Sequence, residues 1–146
     1  MLLALMLLLA QDAPRQQEFN AAWMLHRAAL RGETSVIDMM LKMGAPVDAK
    51  DGHGRSALFD ACLKGHLDTA KFLLDHGASV TVRDENRATP LHDAALGGNA
   101  KVIELLIAHK ADVNARDSEG QTPLNYAIKM ERIDAEKILC ESAAKP

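Results

Sequence analysis

Six histidines and two cysteines are the side chains of this sequence best suited to bind a metal ion or to act in catalysis. Imidazole nitrogens and thiolate sulfurs are common zinc ligands, and thiolates are nucleophiles. None of these residues stands in a catalytic motif, because the sequence contains no HExxH, no GxSxG and no P-loop. The local spacing of these side chains therefore does not indicate an enzyme.

The composition is that of a globular chain rather than a disordered one. Of 146 residues, 48% are hydrophobic and 25% are charged. Aromatic residues make up only 3%, the formal net charge is −3 and the pI is near 6.0. Nucleic-acid binding generally needs a basic face, and single strands are often held on aromatic rings. Nucleic acid is therefore not expected as a partner.

The elements that position these side chains recur every 33 residues. The stretch Thr-Pro-Leu-Asn at 122–125 follows Thr-Pro-Leu-His at 89–92 by 33 positions. Two further steps of 33 towards the N-terminus reach Ser-Ala-Leu-Phe at 56–59 and Trp-Met-Leu-His at 23–26. Four units in one register, without an insertion, predict an array of small repeated structures.

Each unit predicts two helices and a loop. Thr89 suits an N-cap, and Pro90 suits the first helical position because its missing N–H is not needed there. The short first helix then ends at glycine, a common left-handed terminator. Apolar residues at helical spacing, such as Val102, Ile103 and Leu106, predict a longer second helix. A polar loop leads to the next cap.

This pattern resembles the ankyrin repeat, whose hallmark is Thr-Pro-Leu-His-x-Ala in a unit of about 33 residues. Residues 89–94 match the hallmark, and the resemblance covers about 20–141. It implies an all-α solenoid of stacked helix-turn-helix units joined by β-hairpin-like loops. Asn20 is expected to cap the first helix. The predicted divisions are an N-terminal cap repeat (20–55), two full repeats (56–88 and 89–121) and a C-terminal cap repeat (122–146).

The repeat register also assigns roles to the histidines and cysteines. The resemblance implies structural hydrogen bonds for His26 and His92, and a loop position for His66. His76 and His109 lie one repeat apart, at about 8–10 Å, which is too far to share a zinc ion. Only His53, in a hairpin tip, is expected to be free for recognition.

Cys62 and Cys140 lie 78 positions apart, which corresponds to roughly 20 Å in a helical stack. A disulfide needs α-carbons within about 7 Å, so none is expected. No catalytic residue, metal or cofactor is predicted.

The resemblance implies that the concave face and the hairpin tips bind a partner protein, and a monomer is expected. The positions carried over from the family are His53, Arg55, Leu63, Lys64, Glu85, Asn86, Ala88, Leu96, Ser118, Glu119, Gln121, Lys129 and Met130. Leu63, Leu96 and Met130 are expected to form an exposed apolar row, which would mark an interface. The predicted function is thus a protein-binding adaptor or scaffold. The alternative is a structural or protective protein, associated with an envelope, without a discrete soluble partner.

The N-terminal segment Met1–Ala10 is uncharged and is followed by polar residues. Ten residues are too few for a helix that spans a bilayer, so no integral membrane span is predicted. Residues 1–13 suit a secretory signal peptide cleaved after Ala10 or Ala13, which predicts a secreted or periplasmic protein. The alternative is a cytoplasmic protein in which an additional apolar helix covers the end of the first repeat.

Overall fold

The computed structural model describes residues 21–144. The predicted signal peptide and the predicted cap at Asn20 lie outside these residues. Within the described part the chain forms eight helices and no strand. They are α1 (21–31), α2 (Thr34–Lys42), α3 (Ala57–Lys64), α4 (Leu67–Asp75), α5 (Pro90–Gly97), α6 (Ala100–Ala108), α7 (Pro123–Lys129) and α8 (Ile133–Ala143).

The helices alternate between two layers. The first helices α1, α3, α5 and α7 begin the four units, and the second helices α2, α4, α6 and α8 follow after short turns. Among the units that contain α3, α5 and α7, neighbouring first helices make closer contact than neighbouring second helices. Buried alanines such as Ala61, Ala94 and Ala127 permit that approach. The layer of first helices therefore forms the concave side of the stack.

The core lies between the two layers and runs continuously through the stack. Each second helix contributes a large aliphatic side chain at the same repeat position: Met40, Leu73, Leu106 and Leu139, all buried. The first helices add Leu25, Leu58 and Leu91, which are at most 1% exposed. Phe59 is the buried aromatic ring of the described core. Aliphatic packing between repeats thus replaces the central core of a globular domain.

The predicted caps differ in their details. Thr122 Oγ1 accepts a hydrogen bond from the Asn125 N–H at 3.3 Å, and α5 also begins in a capping box at Thr89. Ser56 occupies the N-cap position of α3, but its buried hydroxyl makes no hydrogen bond. The two Thr-Pro units therefore have better satisfied helix starts than the Ser-Ala unit.

The turn after each first helix requires a left-handed residue. Gly32, Gly65 and Gly98 have φ between 71° and 74° at this position. In the last unit Glu131 adopts φ 54° instead, although left-handed geometry is costly for a residue with a β-carbon. The sequence difference at Glu131 therefore leaves the turn unchanged and adds strain to it.

The loops between units are hairpin-like turns built on one recurring aspartate. Oδ1 of Asp51, Asp84 and Asp117 accepts backbone hydrogen bonds from two residues of its own turn, at 2.8–3.0 Å. Successive turns are also joined, because Glu85 N–H donates to the His53 carbonyl and Ser118 N–H to the Asn86 carbonyl, each at 2.9 Å. The all-α stack with hairpin-like loops confirms the predicted fold class. No helix in residues 21–144 is long and apolar enough to cross a membrane.

Candidate protein-binding face

The inner face is the concave surface formed by α3, α5, α7 and the turns at 51–55, 84–88 and 117–121. Its centre holds a chain of ionisable side chains from three units. His26 Nδ1 hydrogen-bonds to Asp60, Asp60 lies 3.6 Å from the Arg55 guanidinium, and Arg55 also pairs with Asp93. Arg55 in addition stacks on the Phe59 ring, at 5.3 Å from its centroid. One arginine thus connects consecutive first helices.

The close packing of His26, Asp60, Arg55 and Asp93 shifts the pKa values of two of these groups. Burial raises the pKa of Asp93 to about 6, with Asp60 and Asp84 adding to the rise and Arg55 opposing it. Burial lowers the pKa of His26, but the hydrogen bond to Asp60 and the charges of Asp60 and Asp51 outweigh it, so the pKa is raised overall. The two shifts have different main causes, which are burial for Asp93 and the adjacent Asp60 carboxylate for His26.

His92 occupies the same repeat position as His26 but has the opposite character. Thr89 N–H donates to its Nδ1 at 3.1 Å, so the proton of the neutral ring sits on Nε2, which donates to the Gln121 carbonyl at 3.1 Å. The Thr89 hydroxyl lies 2.9 Å from Nδ1 and can donate to it as well. Burial is the main cause that lowers the pKa of His92. His92 is therefore a neutral connector between units.

The last turn is held by Asp117 and Tyr126. The Tyr126 hydroxyl donates to Asp117 Oδ2 at 2.8 Å, and the ring packs edge-on against His92 with centroids 5.1 Å apart. Burial raises the pKa of Asp117, but hydrogen bonds from Gln121, Tyr126 and Glu119 outweigh it and lower the pKa. Burial and the adjacent Asp117 raise the pKa of Tyr126 to about 12. The Asp117 carboxylate is thus ionised, and both of its oxygens accept hydrogen bonds that hold the last turn.

Five of the predicted binding residues form a continuous row at the edge of the inner face. This tip row consists of His53, Glu85, Asn86, Ser118 and Glu119, and all five are exposed. His53 Nδ1 lies 2.8 Å from Glu85 Oε1, and both side chains are exposed. The hydrogen bonds between neighbouring turns hold the row in register.

Other predicted binding residues lie along the inner face with varied exposure. Lys64, Gln121 and Lys129 are exposed, and Met130 is 42% exposed. Arg55 is half-buried because it spans Asp60 and Asp93. Ala88 is only 4% exposed, so the expectation that its side chain faces a partner is wrong.

The expected exposed row of Leu63, Leu96 and Met130 is also wrong, because the two leucines are half-buried. The next unit covers the end of each first helix. Asn99 Nδ2 donates to the Leu63 carbonyl at 3.3 Å, and Arg132 Nε donates to the Leu96 carbonyl at 3.2 Å. These polar side chains of the following unit satisfy helix-end carbonyls.

The remaining histidines hydrogen-bond to backbone carbonyls, and the two cysteines differ in their exposure. His66 Nε2 bonds to the Leu30 carbonyl at 3.1 Å, while His76 and His109 each bond a carbonyl one turn back in their own helix. Burial, together with Asp93 and Asp60, raises the pKa of the Cys62 thiol well above its usual range. Cys140 is exposed and free. Within residues 21–144 no cluster of three metal-ligating side chains occurs.

The prediction from sequence missed Asp60 and Asp93, the two carboxylates at the centre of the inner face. They lie 33 positions apart, as do the turn aspartates Asp51, Asp84 and Asp117. This recurrence was the available signal. It identifies a residue type required by the repeat, but it does not show that Arg55 bridges two of these carboxylates.

Comparisons with known proteins agree with this geometry. A family model described as ankyrin repeats (3 copies) matches residues 2–84, and one described as ankyrin repeats (many copies) matches residues 73–127. No curated protein matches the chain. Ankyrin repeats are in general non-enzymatic modules of protein–protein interaction. With paired helices at a 33-residue spacing and a family match over more than half of its length, this chain belongs to the ankyrin repeat family.

Proposed function

We propose that this chain binds a partner protein through its inner face and tip row, as an adaptor or scaffold. The observation that carries the proposal is the continuity of the tip row. Exposed polar side chains from three consecutive turns lie side by side, fixed in register by backbone hydrogen bonds between the turns. A preformed row loses little conformational entropy on binding.

The inner face beside the row is also rigid. Arg55, Asp60 and Asp93 are held by one another, and Gln121 is fixed through its carbonyl by His92. The turn aspartates use Oδ1 for their own backbone, so they shape the surface rather than offering that oxygen to a ligand. Recognition is therefore assigned to the side chains at the turn tips and to the exposed inner-helix residues Lys64, Lys129 and Met130.

The arrangement offers mainly hydrogen-bonding contacts. Glu85 and Glu119 present carboxylates, Asn86 an amide and Ser118 a hydroxyl, with Met130 as an apolar contact at the far end. We infer a partner surface that is polar and complementary to the row, with few large apolar anchors. Such interfaces depend on a few well-placed residues.

Site-specific photo-cross-linking tests this proposal. A photoreactive amino acid is placed at Glu119 in the tip row, and in a separate protein at Lys101, which is exposed on α6 in the second-helix layer. Cross-linked proteins from the native host are identified by mass spectrometry and then purified for calorimetry. The proposal expects a partner captured at Glu119 and absent at Lys101.

Matched substitutions complete the test. Glu119→Ala should weaken binding of the captured partner, whereas Lys101→Ala should leave the Kd unchanged, and neither should alter folding because both side chains are exposed. Cross-links only from Lys101 would place binding on the second-helix layer, and equal weakening by the two substitutions would remove the assignment to the tip row; either result would overturn the proposal.

A further inference from the structure

The turns between the units carry exposed cations at a fixed repeat position. Lys50, Arg83 and Arg116 lie 33 positions apart, and all three are exposed. Arg87 is exposed as well and lies in the same turn as Arg83. We name these four residues the basic row. None of the ion pairs formed among residues 21–144 includes a member of the basic row.

Two guanidinium groups of the basic row are held in place by backbone carbonyls. Arg83 Nη1 donates to the carbonyls of Arg87 and Arg116, both at 2.9 Å, and Arg116 Nη1 donates to the Gly120 carbonyl at 3.1 Å. A guanidinium has five N–H donors in a planar fork, so the Nε and Nη2 donors of both arginines remain available. That edge can bind a carboxylate through two parallel hydrogen bonds.

Arg87 occupies a strained position. Its φ is 60°, whereas Gly54 and Gly120 at the same repeat position have φ of 75° and 76°. A left-handed conformation is costly for a residue with a β-carbon, and such strain is often found at functional sites. The positive φ therefore favours a role for the Arg87 side chain that glycine could not supply.

The acidic side chains of the same turns have other partners. Oδ1 of Asp84 and Asp117 accepts hydrogen bonds from its own turn, and Asp117 Oδ2 accepts one from the Tyr126 hydroxyl. Glu85 Oε1 lies 2.8 Å from Nδ1 of His53 in the preceding turn. These carboxylate oxygens are thus engaged away from the basic row.

The spacing of the basic row indicates the shape of its ligand. Helices of neighbouring units pack roughly 8–10 Å apart, so Lys50, Arg83 and Arg116 follow one another at about that interval. A polyproline-II chain has three residues per turn and advances about 3.1 Å per residue, so every third side chain faces the same way after about 9 Å.

We propose that the basic row binds an extended acidic segment of a partner protein, with a carboxylate at every third residue. This inference rests on the proposed function, because it assumes that the partner is a protein, and it adds the class of segment that is bound. A nucleic acid fits less well, because the whole chain has a formal net charge of −3.

Fluorescence anisotropy of two labelled peptides with the full chain tests this proposal. One peptide has glutamate at every third position with proline between, and the other has the same composition with its glutamates adjacent. The buffer has low ionic strength, because salt screens exposed charges. The spaced peptide should bind several-fold more tightly. Equal affinities, or tighter binding of single-stranded DNA of the same charge, would overturn the proposal.

Matched substitutions locate the binding. Lys50→Gln and Lys101→Gln each remove one exposed lysine charge, the first from the basic row and the second from α6. The first should weaken binding of the spaced peptide by about two- to fivefold, and the second should leave it unchanged. Equal weakening by the two would overturn the proposal.

Arg87→Gly separates binding from stability. It removes a cation and relieves the strained φ, so the peptide affinity should fall while the melting temperature rises. An unchanged affinity would overturn the proposal. Glu119→Ala, which tests the proposed function, leaves the basic row intact and should not weaken binding of the peptide. The assignment of the basic row and that of the tip row can therefore fail separately.

Discussion

The two ends of the described stack, at α1–α2 and at α7–α8, present different side chains. At the C-terminal end Glu136 stands at the repeat position of the buried Ile103, and the exposed Asn125 stands at the position of the buried His92. Ile128 remains apolar and is 50% exposed. At the N-terminal end the corresponding surface keeps Trp23, Met24 and Val36. The last described unit thus combines polar replacements with exposed apolar side chains such as Ile133, which is 77% exposed, whereas α1 and α2 expose Trp23, Met24 and Met39.

The largest expected effect on stability comes from exchanging the side chains of Ile103 and Glu136, which share a repeat position in the third and last units. Ile103→Glu places a carboxylate where the present side chain is 0% exposed. We therefore expect the free energy of unfolding to fall by about 2–5 kcal/mol. Glu136→Ile, at the same repeat position in the last unit, should change it by less than ~0.5 kcal/mol. Urea denaturation followed by circular dichroism measures both. A similar loss for both variants would contradict the difference in burial between the two positions.

The histidine position offers the next largest effect. His92→Ala leaves the Thr89 N–H and the Gln121 carbonyl without their partner, so we expect a loss of about 2 kcal/mol. Asn125→Ala, at the exposed equivalent, removes one capping interaction and should cost about 0.5–1 kcal/mol. The same denaturation experiment compares them. If Asn125→Ala were the more costly change, the capping interaction of the last unit would outweigh the link between units.

The contributions of His26 and His92 to stability should depend on pH with opposite signs. The raised pKa of His26 stabilises the fold below about pH 6.5, and this stability is lost as the pH rises through the folded-state pKa. The lowered pKa of His92 has the opposite effect on stability. Its contribution is present above about pH 6.5 and is lost as the pH falls below that value. His26→Asn should therefore cost more at about pH 5.5 than at about pH 8, and His92→Asn should cost more at about pH 8.

Titration of the histidine rings by NMR checks these signs independently of stability. Asp93, whose pKa is raised to about 6, titrates in the same pH range and also affects stability, so the ring signals are needed to assign the two histidine shifts. The account expects His26 to titrate above and His92 below the ordinary value of about 6.5. The reverse order would contradict the assigned hydrogen bonds.

The smallest expected effect concerns the strained turn of the last unit. Glu131 has φ 54° where the other units have glycine, so Glu131→Gly should raise the free energy of unfolding by about 1 kcal/mol. Gly98→Ala, at the equivalent turn, should lower it, because an added Cβ would also meet the Arg132 side chain at 2.6 Å. Thermal unfolding of both variants checks the two signs. A destabilising Glu131→Gly would show that this side chain has a role that outweighs the strain.

The sequence predicted the fold because a 33-residue period fixes which residues share a position. The helices, the Thr-Pro caps and the hairpin-like turns all follow from local chemistry that repeats, such as Pro90 and Pro123 at a first helical position. Any one unit can be interpreted from the others. The ankyrin resemblance rested on the same residues.

The inner face was less predictable because it depends on contacts between units. The carbonyl of Leu63 is bonded by Asn99, 36 residues later, and the surroundings of Arg55 depend on Asp93, 38 residues later. Ala88 precedes a cap in sequence but is covered in three dimensions. The register specifies which positions are equivalent, whereas the side chains that meet across a repeat interface decide their exposure.

The difference between the interior of the stack and its C-terminal end is tested most directly by hydrogen–deuterium exchange of the full chain, followed by mass spectrometry. Because α8 lies at the edge of the described stack and α5 and α6 lie between neighbouring units, peptides from α8 should exchange faster than peptides from α5 and α6. Exchange of α5 and α6 at the rate of α8 would contradict the account.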